Sequence, residues 1–180
     1  MPSGSTSPRA ESPTARLFVA LWPDAGVRAA LAAYRDRWRW PQEARPVADE
    51  NLHATPHFIG SFACERIVAL GTRLAAVRAE APTLRSQGPE VWRSGIAVLT
   101  LQGDRHLRLL HERVGAVLAG LGIALDDRPF APHVTLARKA VRAVAPGDPP
   151  PLDWHAPAIA LVESVGGRAP YRVLASWPLA

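Results

Sequence analysis

Short β-favouring segments alternate with longer helical ones along this chain. Runs of aromatic, aliphatic and β-branched residues, bounded by Pro, Gly or polar positions, predict the strands. The predicted strands are 16–22, 52–60, 83–87, 96–102, 132–138, 158–163 and 171–176. Turn signals between them are Gly88-Pro89, Ser94-Gly95 and Gly166-Gly167, the last of which is typical of a hairpin.

Three further segments carry apolar residues three and four positions apart, which predicts amphipathic helices. Asp24 is suited to cap the first helix, which ends by Pro41, and the second covers 65–79. Asp104 is suited to cap the third, and Gly122 to stop it. The two halves of the chain therefore repeat an order of elements, although they do not visibly repeat a sequence.

The first predicted strand is apolar on both faces. Its alternating sets are Leu17, Val19, Leu21 and Phe18, Ala20, Trp22. One face is expected to pack on the helices and the other to line whatever the sheet encloses.

Two predicted strands contain a histidine and a threonine separated by one residue, in the phrases His53-Ala54-Thr55 and His133-Val134-Thr135. Because alternate side chains of a strand point the same way, each histidine shares a face with its threonine. Each phrase therefore offers one imidazole and one hydroxyl to a common space.

Two imidazoles and two hydroxyls without a carboxylate favour acid–base cleavage of a phosphodiester without a metal. One imidazole can take a proton from an attacking hydroxyl or water while the other protonates the leaving oxygen, because histidine titrates near neutrality. Threonine hydroxyls and an arginine can hold the charged oxygens. Arg138 would face away from His133 by strict alternation, so it needs a strand end or a bulge to reach the site. The alternative is a solvent-exposed arginine.

Pro56 gives up a ladder hydrogen bond, which predicts an edge strand or a bulge at that point. On a strand, His53 and His57 lie about 13 Å apart at ~3.3 Å per residue, which is too far for one metal ion.

Composition and charge indicate which class of protein this is. The 180 residues are 48% hydrophobic, which suits one domain over 16–180 after a disordered tail over 1–15. No run is long enough to span a bilayer, the first residues lack the apolar core of a signal peptide, and the single Cys64 suits a reducing cytoplasm. The net charge of +5 comes almost wholly from arginine, which favours a polyanionic partner or, equally, reflects codon bias.

Several longer phrases carry a resemblance to a known family. They are Arg16-Leu-Phe-Val-Ala-Leu-Trp-Pro, Glu50-Asn-Leu-His-Ala-Thr, Arg128-Pro-Phe-Ala-Pro-His-Val-Thr-Leu-Ala-Arg138, Leu161-Val-Glu-Ser and Trp177-Pro-Leu. With the element order over 16–180, they resemble the two-histidine phosphoesterase superfamily. Within it, the chain is most similar to the RNA 2',3'-cyclic phosphodiesterases that are also described as 2'-5' RNA ligases.

The resemblance implies an α+β fold that is bilobal and pseudo-twofold, in which two antiparallel β-sheets form a central cleft with helices on the outside. It implies that His53 protonates the leaving 3' oxygen and His133 activates water, so that the product is an RNA ending in a 2'-phosphate. Thr55, Thr135 and Arg138 match the family's phosphate-holding positions. Neither a metal nor a cofactor is expected, the partner is an RNA or oligonucleotide with a cyclic phosphate end, and a monomer away from membranes is expected.

Several alternatives stay open at this point. The same chemistry serves 2'-5'-linked oligonucleotides, small cyclic nucleotide phosphates or reversible 2'-5' ligation, and the arginine surface alone would suit a non-catalytic RNA-binding module. Phe18 is a candidate for stacking on a base, with core packing as the alternative. Trp92, Trp154 and Tyr171 are interpreted as packing residues outside the site. Pro56 with His57 departs from the family pattern, and we expect it to tilt the strand and bring an extra base to the rim of the cleft.

Overall fold

The computed structural model describes residues 12–166 and 169–180, and within these ranges the chain forms nine strands and three α-helices. In chain order they are β1 Thr14–Leu21, α1 Ala25–Asp36, β2 Arg45–Pro46, β3 Ala54–Ala63, α2 Ile67–Ala75, β4 Thr83–Val91, β5 Ala97–Gly103, α3 Arg105–Gly120, β6 His133–Arg138, β7 Asp153–His155, β8 Ala158–Glu163 and β9 Arg172–Pro178. The strand order is β7-β4-β5-β6-β3-β1-β8-β9, with β2 paired to β6. All of these pairings are antiparallel.

The sheet consists of two lobes of four strands each, with β2 added beside β6, and the lobes meet at a narrow seam. One lobe is β9-β8-β1-β3 and the other is β6-β5-β4-β7. They are joined between β3 and β6 through a single residue pair, Ala54 with Val134. The predicted α+β fold with antiparallel lobes is confirmed, but the two predicted sheets are one continuous sheet, because this pair links them.

The helices cover one face of the sheet, and a smaller apolar cluster lies on the other. Leu31, Leu70 and Leu110, one from each helix, are completely buried in the main core with one residue set of β1. The other set, Phe18 and Ala20, packs with Ala160, Val162, Trp22 and Tyr171 in the smaller cluster. The predicted division of the two faces of β1 is therefore confirmed.

The helix ends follow the predicted capping signals. Asp24 accepts a hydrogen bond from the Val27 amide, and Asp104 accepts from the His106 and Leu107 amides. Gly122 adopts a φ of 74° directly beyond α3, as expected of a C-terminal stop. Helices α1 and α2 end several residues earlier than predicted. Strand β1 begins at Thr14, inside the range predicted as a tail, while residues 1–11 lie outside the described residues.

The predicted turn at Gly88-Pro89 is wrong, and the turn at Ser94-Gly95 is confirmed. Gly88 and Pro89 lie within β4, next to an irregularity in its pairing with β5. Among the described residues β7 pairs with β4 only at 83–85, so Pro89 has a paired strand on one side alone, where a strand tolerates proline. The chain reverses instead around Gly95, which has a φ of 77°. Strands β8 and β9 pair as predicted, although Gly167 of their turn lies outside the described residues.

None of the helices in the described part of the chain is long and apolar enough to cross a membrane.

Candidate active site

A cavity of about 230 Å³ opens on the sheet face opposite the helices. It is lined by Arg16, Leu17, Phe18, Val47, Asn51, His53, Thr55, Phe58, Gly60, Thr135, Arg138, Ser164 and Tyr171. The predicted residues His53, Thr55, Thr135, Arg138 and Phe18 are therefore brought together. His133 is not among the lining residues, but it is close enough for its charge to act on His53.

The seam between the lobes sets the two phrases side by side. Extending the Ala54–Val134 pair by one residue in each direction puts His53 across from Thr135 and Thr55 across from His133. All four side chains are partly buried. Each imidazole is therefore matched with the hydroxyl of the other lobe, in a pseudo-twofold arrangement.

A bulge follows each His-x-Thr phrase. The register of β1 with β3 shifts by one residue between Val19 and Leu21. At this point the adjacent residues Pro56 and His57 are both buried, whereas a regular strand would bury only one of them. The pairing of β5 with β6 shifts likewise, and Leu136 and Ala137 are buried in succession.

The extra residue in each strand reverses the alternation of side chains. As a result, Arg138 and its counterpart Phe58, each five positions after the histidine, both line the cavity. The predicted bulges at Pro56 and before Arg138 are confirmed.

The backbone fixes the same ring orientation in both histidines. Nδ1 of His53 lies 2.6 Å from the Asn51 carbonyl oxygen, and Nδ1 of His133 lies 2.7 Å from that of Ala131. A carbonyl oxygen only accepts hydrogen bonds, so each Nδ1 carries the proton. Nε2 is then the atom of each ring that can accept or donate a proton to a ligand.

Burial makes both imidazoles hard to charge in the free protein. Desolvation lowers the pKa of His53 to about 4, the hydrogen bond to Asn51 opposes this, and the charges of His133 and Arg138 add to it. Desolvation also lowers the pKa of His133, with a further lowering from Arg138. Both rings are therefore neutral at pH 7 until an anion joins them.

Aromatic rings enclose His53. Phe18 stacks on it with ring centroids 4.9 Å apart, while Trp22 and Tyr171 meet it edge-on at 5.0 and 5.4 Å. Phe18 is only 4% exposed, which favours its packing role over stacking on a base, whereas Phe58 in the same cavity is 63% exposed.

Two residues interpreted from sequence as packing residues belong at the site. Tyr171 lines the cavity, and Trp92 meets His133 edge-on at 4.5 Å. Neither position carries a periodic or local sequence signal, because the β4–β5 turn and the start of β9 bring them in from afar. Trp154 is completely buried, so its packing role is confirmed.

Asn51 is a further residue that sequence reasoning missed. Its carbonyl oxygen holds His53, its side-chain Oδ1 accepts from the Tyr171 amide at 3.0 Å, and its Nδ2 donates to the Ala169 carbonyl at 3.4 Å. Asn51 therefore ties the segment before β9 to the first histidine. The available signal was the phrase Asn51-Leu52-His53, where an amide side chain precedes the imidazole by two residues.

The expected extra base at the cleft rim is wrong. The bulge turns His57 to the helix side, where it is 8% exposed and its Nε2 lies 2.8 Å from the His111 carbonyl oxygen. Its ring stacks on His111 at 4.0 Å, and His111 stacks on Phe130 at 4.1 Å. Among the described residues, no group of three or more His, Cys, Asp or Glu side chains is placed to hold a metal ion.

Comparison with known proteins identifies relatives that match most of the chain. The chain is 33% identical over 173 residues to the RNA 2',3'-cyclic phosphodiesterase of Escherichia coli K12, covering 91% of this chain and 96% of that protein. It is 35% identical over 170 residues to the protein of the same name from Thermus thermophilus, covering 83% of this chain and 81% of that protein.

The crystal structure of E. coli LigT complexed with 3'-AMP superposes with a TM-score of 0.80 at 31% identity, over 93% of this chain and 99% of that one. No protein-family model matches the chain. These two curated relatives match it over most of their length, and its two His-x-Thr phrases lie side by side at one seam. The chain belongs to the RNA 2',3'-cyclic phosphodiesterase family of two-histidine phosphoesterases.

Proposed function

We propose that this protein hydrolyses RNA 2',3'-cyclic phosphodiester ends to 2'-phosphomonoesters. The observation that carries the proposal is the pair of imidazoles at one seam, each with Nδ1 bound to backbone and Nε2 left for a ligand. The names of the curated relatives support the same reaction, as does the 3'-AMP complex of the E. coli protein.

The proposed reaction needs one base and one acid. Nε2 of His133 takes a proton from water while the water oxygen bonds to phosphorus. The bond from phosphorus to the 3' oxygen breaks, and Nε2 of His53 gives its proton to that oxygen. Thr55, Thr135 and Arg138 hold the phosphate oxygens, whose negative charge grows in the transition state.

Substrate binding has to change the protonation of His53. In the free protein, burial lowers the pKa of His53 to about 4, which disfavours an acid role. A bound phosphodiester anion favours the imidazolium form, so it raises the pKa of both histidines. We therefore propose that His53 becomes the acid only in the complex with substrate.

The first test is turnover of an oligonucleotide that ends in a 2',3'-cyclic phosphate, with the position of the product phosphate read by NMR. His53→Ala and His133→Ala should each lower kcat by about 10²–10⁴-fold while the protein still folds. Wild-type activity should persist in EDTA, since the proposed acid and base are both imidazoles. A wild-type protein that binds the oligonucleotide without cleaving it would instead favour the RNA-binding module.

The second test assigns the two roles. In a substrate with sulfur in place of the 3' oxygen, the leaving group departs as a thiolate. It needs no proton, because a thiol has a pKa of about 8.5. His53→Ala should recover most of its lost rate on this substrate, and His133→Ala should not. Recovery by His133→Ala alone would exchange the two roles.

We also propose that the enzyme acts as a cytoplasmic monomer. The half-buried Cys64 is the one cysteine of the chain, which suits a reducing compartment. Light scattering of the purified protein should give the mass of one chain, 19.4 kDa.

A further inference from the structure

A second, larger groove adjoins the catalytic cavity. Its volume is about 710 Å³, and it is lined by Arg45, Pro46, Val47, Ala48, Asn51, Arg138 and Tyr171. Val47, Asn51, Arg138 and Tyr171 also line the catalytic cavity, so the two spaces are continuous. A ligand held at Arg138 can therefore extend into this groove.

Two arginines stand next to each other where the spaces meet. Strand β2 pairs with the end of β6 so that Arg45 lies directly opposite Arg138. Like charges placed directly opposite on an antiparallel pair destabilise it. Both guanidinium groups are exposed. Over residues 12–166 and 169–180, neither of them has an acidic or hydrogen-bonding partner. Such an arrangement is favourable when anions neutralise it.

The wall that carries Arg45 is held in place without a ligand. The Val47 amide donates to the Leu136 carbonyl at 2.8 Å, which fixes the wall to the strand of the second phrase. Arg35, whose side chain is 9% exposed, reaches from α1 to Asp49 at 2.7 Å and also donates to the Val47 carbonyl. Arg45 is therefore carried by a backbone segment that is already fixed, so this backbone loses little conformational freedom on binding.

We propose that this groove binds the phosphate on the 5' side of the terminal nucleoside, and that Arg45 contacts it. This inference rests on the proposed function, because that reaction puts the cyclic phosphate at Arg138. In an RNA chain the next negative charge is the internucleotide phosphodiester, and the neighbouring guanidinium in the continuous groove is that of Arg45. The enzyme thereby distinguishes the end of an RNA chain from a free cyclic mononucleotide.

The test compares substrates that differ only on the 5' side. They are adenosine 2',3'-cyclic phosphate, its 5'-phosphorylated form, the dinucleotide ending in a 2',3'-cyclic phosphate, and that dinucleotide with an uncharged methylphosphonate linkage. Arg45→Ala should lower kcat/KM for the normal dinucleotide about tenfold, as expected for one lost charged hydrogen bond. The same variant should change kcat/KM for the unphosphorylated mononucleotide and for the methylphosphonate by less than about twofold.

Matched variants distinguish a contact of Arg45 with the phosphate from a general effect of the protein's positive charge on RNA binding. Arg73→Ala removes an exposed arginine from α2 on the opposite face, and it should leave all four substrates unaffected. Arg45→Lys keeps the charge and should recover part of the loss. For the dinucleotide, Arg45→Ala should also make the dependence of log kcat/KM on log salt shallower by about 0.7.

The outcomes are distinct. An Arg45 effect on the dinucleotide alone identifies the internucleotide phosphodiester as the ligand, and an effect shared by the 5'-phosphorylated mononucleotide identifies any phosphate at that position. Equal losses on mononucleotide and dinucleotide, or no loss on either, would overturn the inference. A wild-type protein inactive on every substrate would contradict the proposed function instead. In that case, calorimetric binding of the dinucleotide ending in a 2'-phosphate still tests Arg45, because Arg45→Ala should weaken that binding.

Discussion

The backbone orients the two histidine rings in the same way, but the side chains around them differ. In both rings Nδ1 is bound to a carbonyl oxygen two residues earlier. Three aromatic rings, those of Phe18, Trp22 and Tyr171, enclose His53. In the described part of the chain, one aromatic ring, that of Trp92, contacts His133. The enclosure of His53 agrees with desolvation as the largest cause of its lowered pKa.

Removing one wall of this enclosure should make His53 easier to protonate. Tyr171→Ala opens one side of the ring to water, so we expect the pKa of His53 to rise from about 4 towards its ordinary value of 6.5. Tyr171→Phe keeps the ring and should leave that pKa unchanged. NMR titration of the imidazole signals measures both, and an unmoved His53 signal in Tyr171→Ala would show that Tyr171 does not contribute to the desolvation.

Individual residues show which parts of the site can be predicted from the sequence. His53, Thr55, His133 and Thr135 were predicted because alternation along a strand is a local property. Tyr171 was missed because its place beside His53 depends on the Asn51 side chain, which lies 120 positions away in sequence. Contacts of that kind follow from tertiary packing and leave no periodic pattern.

At the level of elements, the bulges after the two phrases decide which side chains reach the cleft. A regular strand would bury Phe58 and Arg138 among the helices, whereas the bulge presents both to the cavity. The two lobes thus use the same backbone device for different chemistry, an aromatic ring in one and a guanidinium in the other. Pro56 gave the sequence signal in the first strand. In the second strand, the only signal was an arginine out of phase with His133.

The exposed ring of Phe58 should serve the base-stacking role considered for Phe18. Phe58→Ala should raise KM for the cyclic phosphate substrate by about tenfold, because stacking on a base contributes about 1–3 kcal/mol, and it should leave the melting temperature nearly unchanged. Phe18→Ala should mainly cost stability, by about 3–5 kcal/mol, because it empties a buried site. Steady-state kinetics with thermal melts distinguish the two, and an unchanged KM in Phe58→Ala would contradict the assignment.

Strand pairing joins the two lobes at one residue pair, and a ring stack behind the seam adds a connection between side chains of both lobes. The stack runs from His57 on β3 through His111 on α3 to Phe130, three residues before His133. Gly115 leaves room for it, since a Cβ at that position would come within 3.2 Å of the His57 ring. The sequence could not indicate this connection, because a regular strand would have put His57 in the cleft.

Four partly or fully buried neutral imidazoles should make the whole molecule sensitive to acid. Desolvation lowers the pKa of His53 and His111 to about 4, and it also lowers the pKa of His57 and His133. The unfolded chain has ordinary histidines, so between pH 6.5 and about 4 it binds more protons than the native state. The free energy of unfolding should therefore level off about one pH unit above 6.5 and fall as the pH drops through 6.5 towards 4.

Each imidazole that stays neutral on folding adds at most about 1.4 kcal/mol per pH unit to this fall. His111→Phe keeps a flat ring between His57 and Phe130 but removes one titrating group and its repulsion of charged His57. The variant should therefore lose stability less steeply with falling pH than the wild type, while kcat at pH 7.5 stays close to the wild-type value. Urea unfolding at pH 7.5, 6 and 5 measures the slopes, and parallel slopes in the two proteins would show that the stack is not a source of the acid sensitivity.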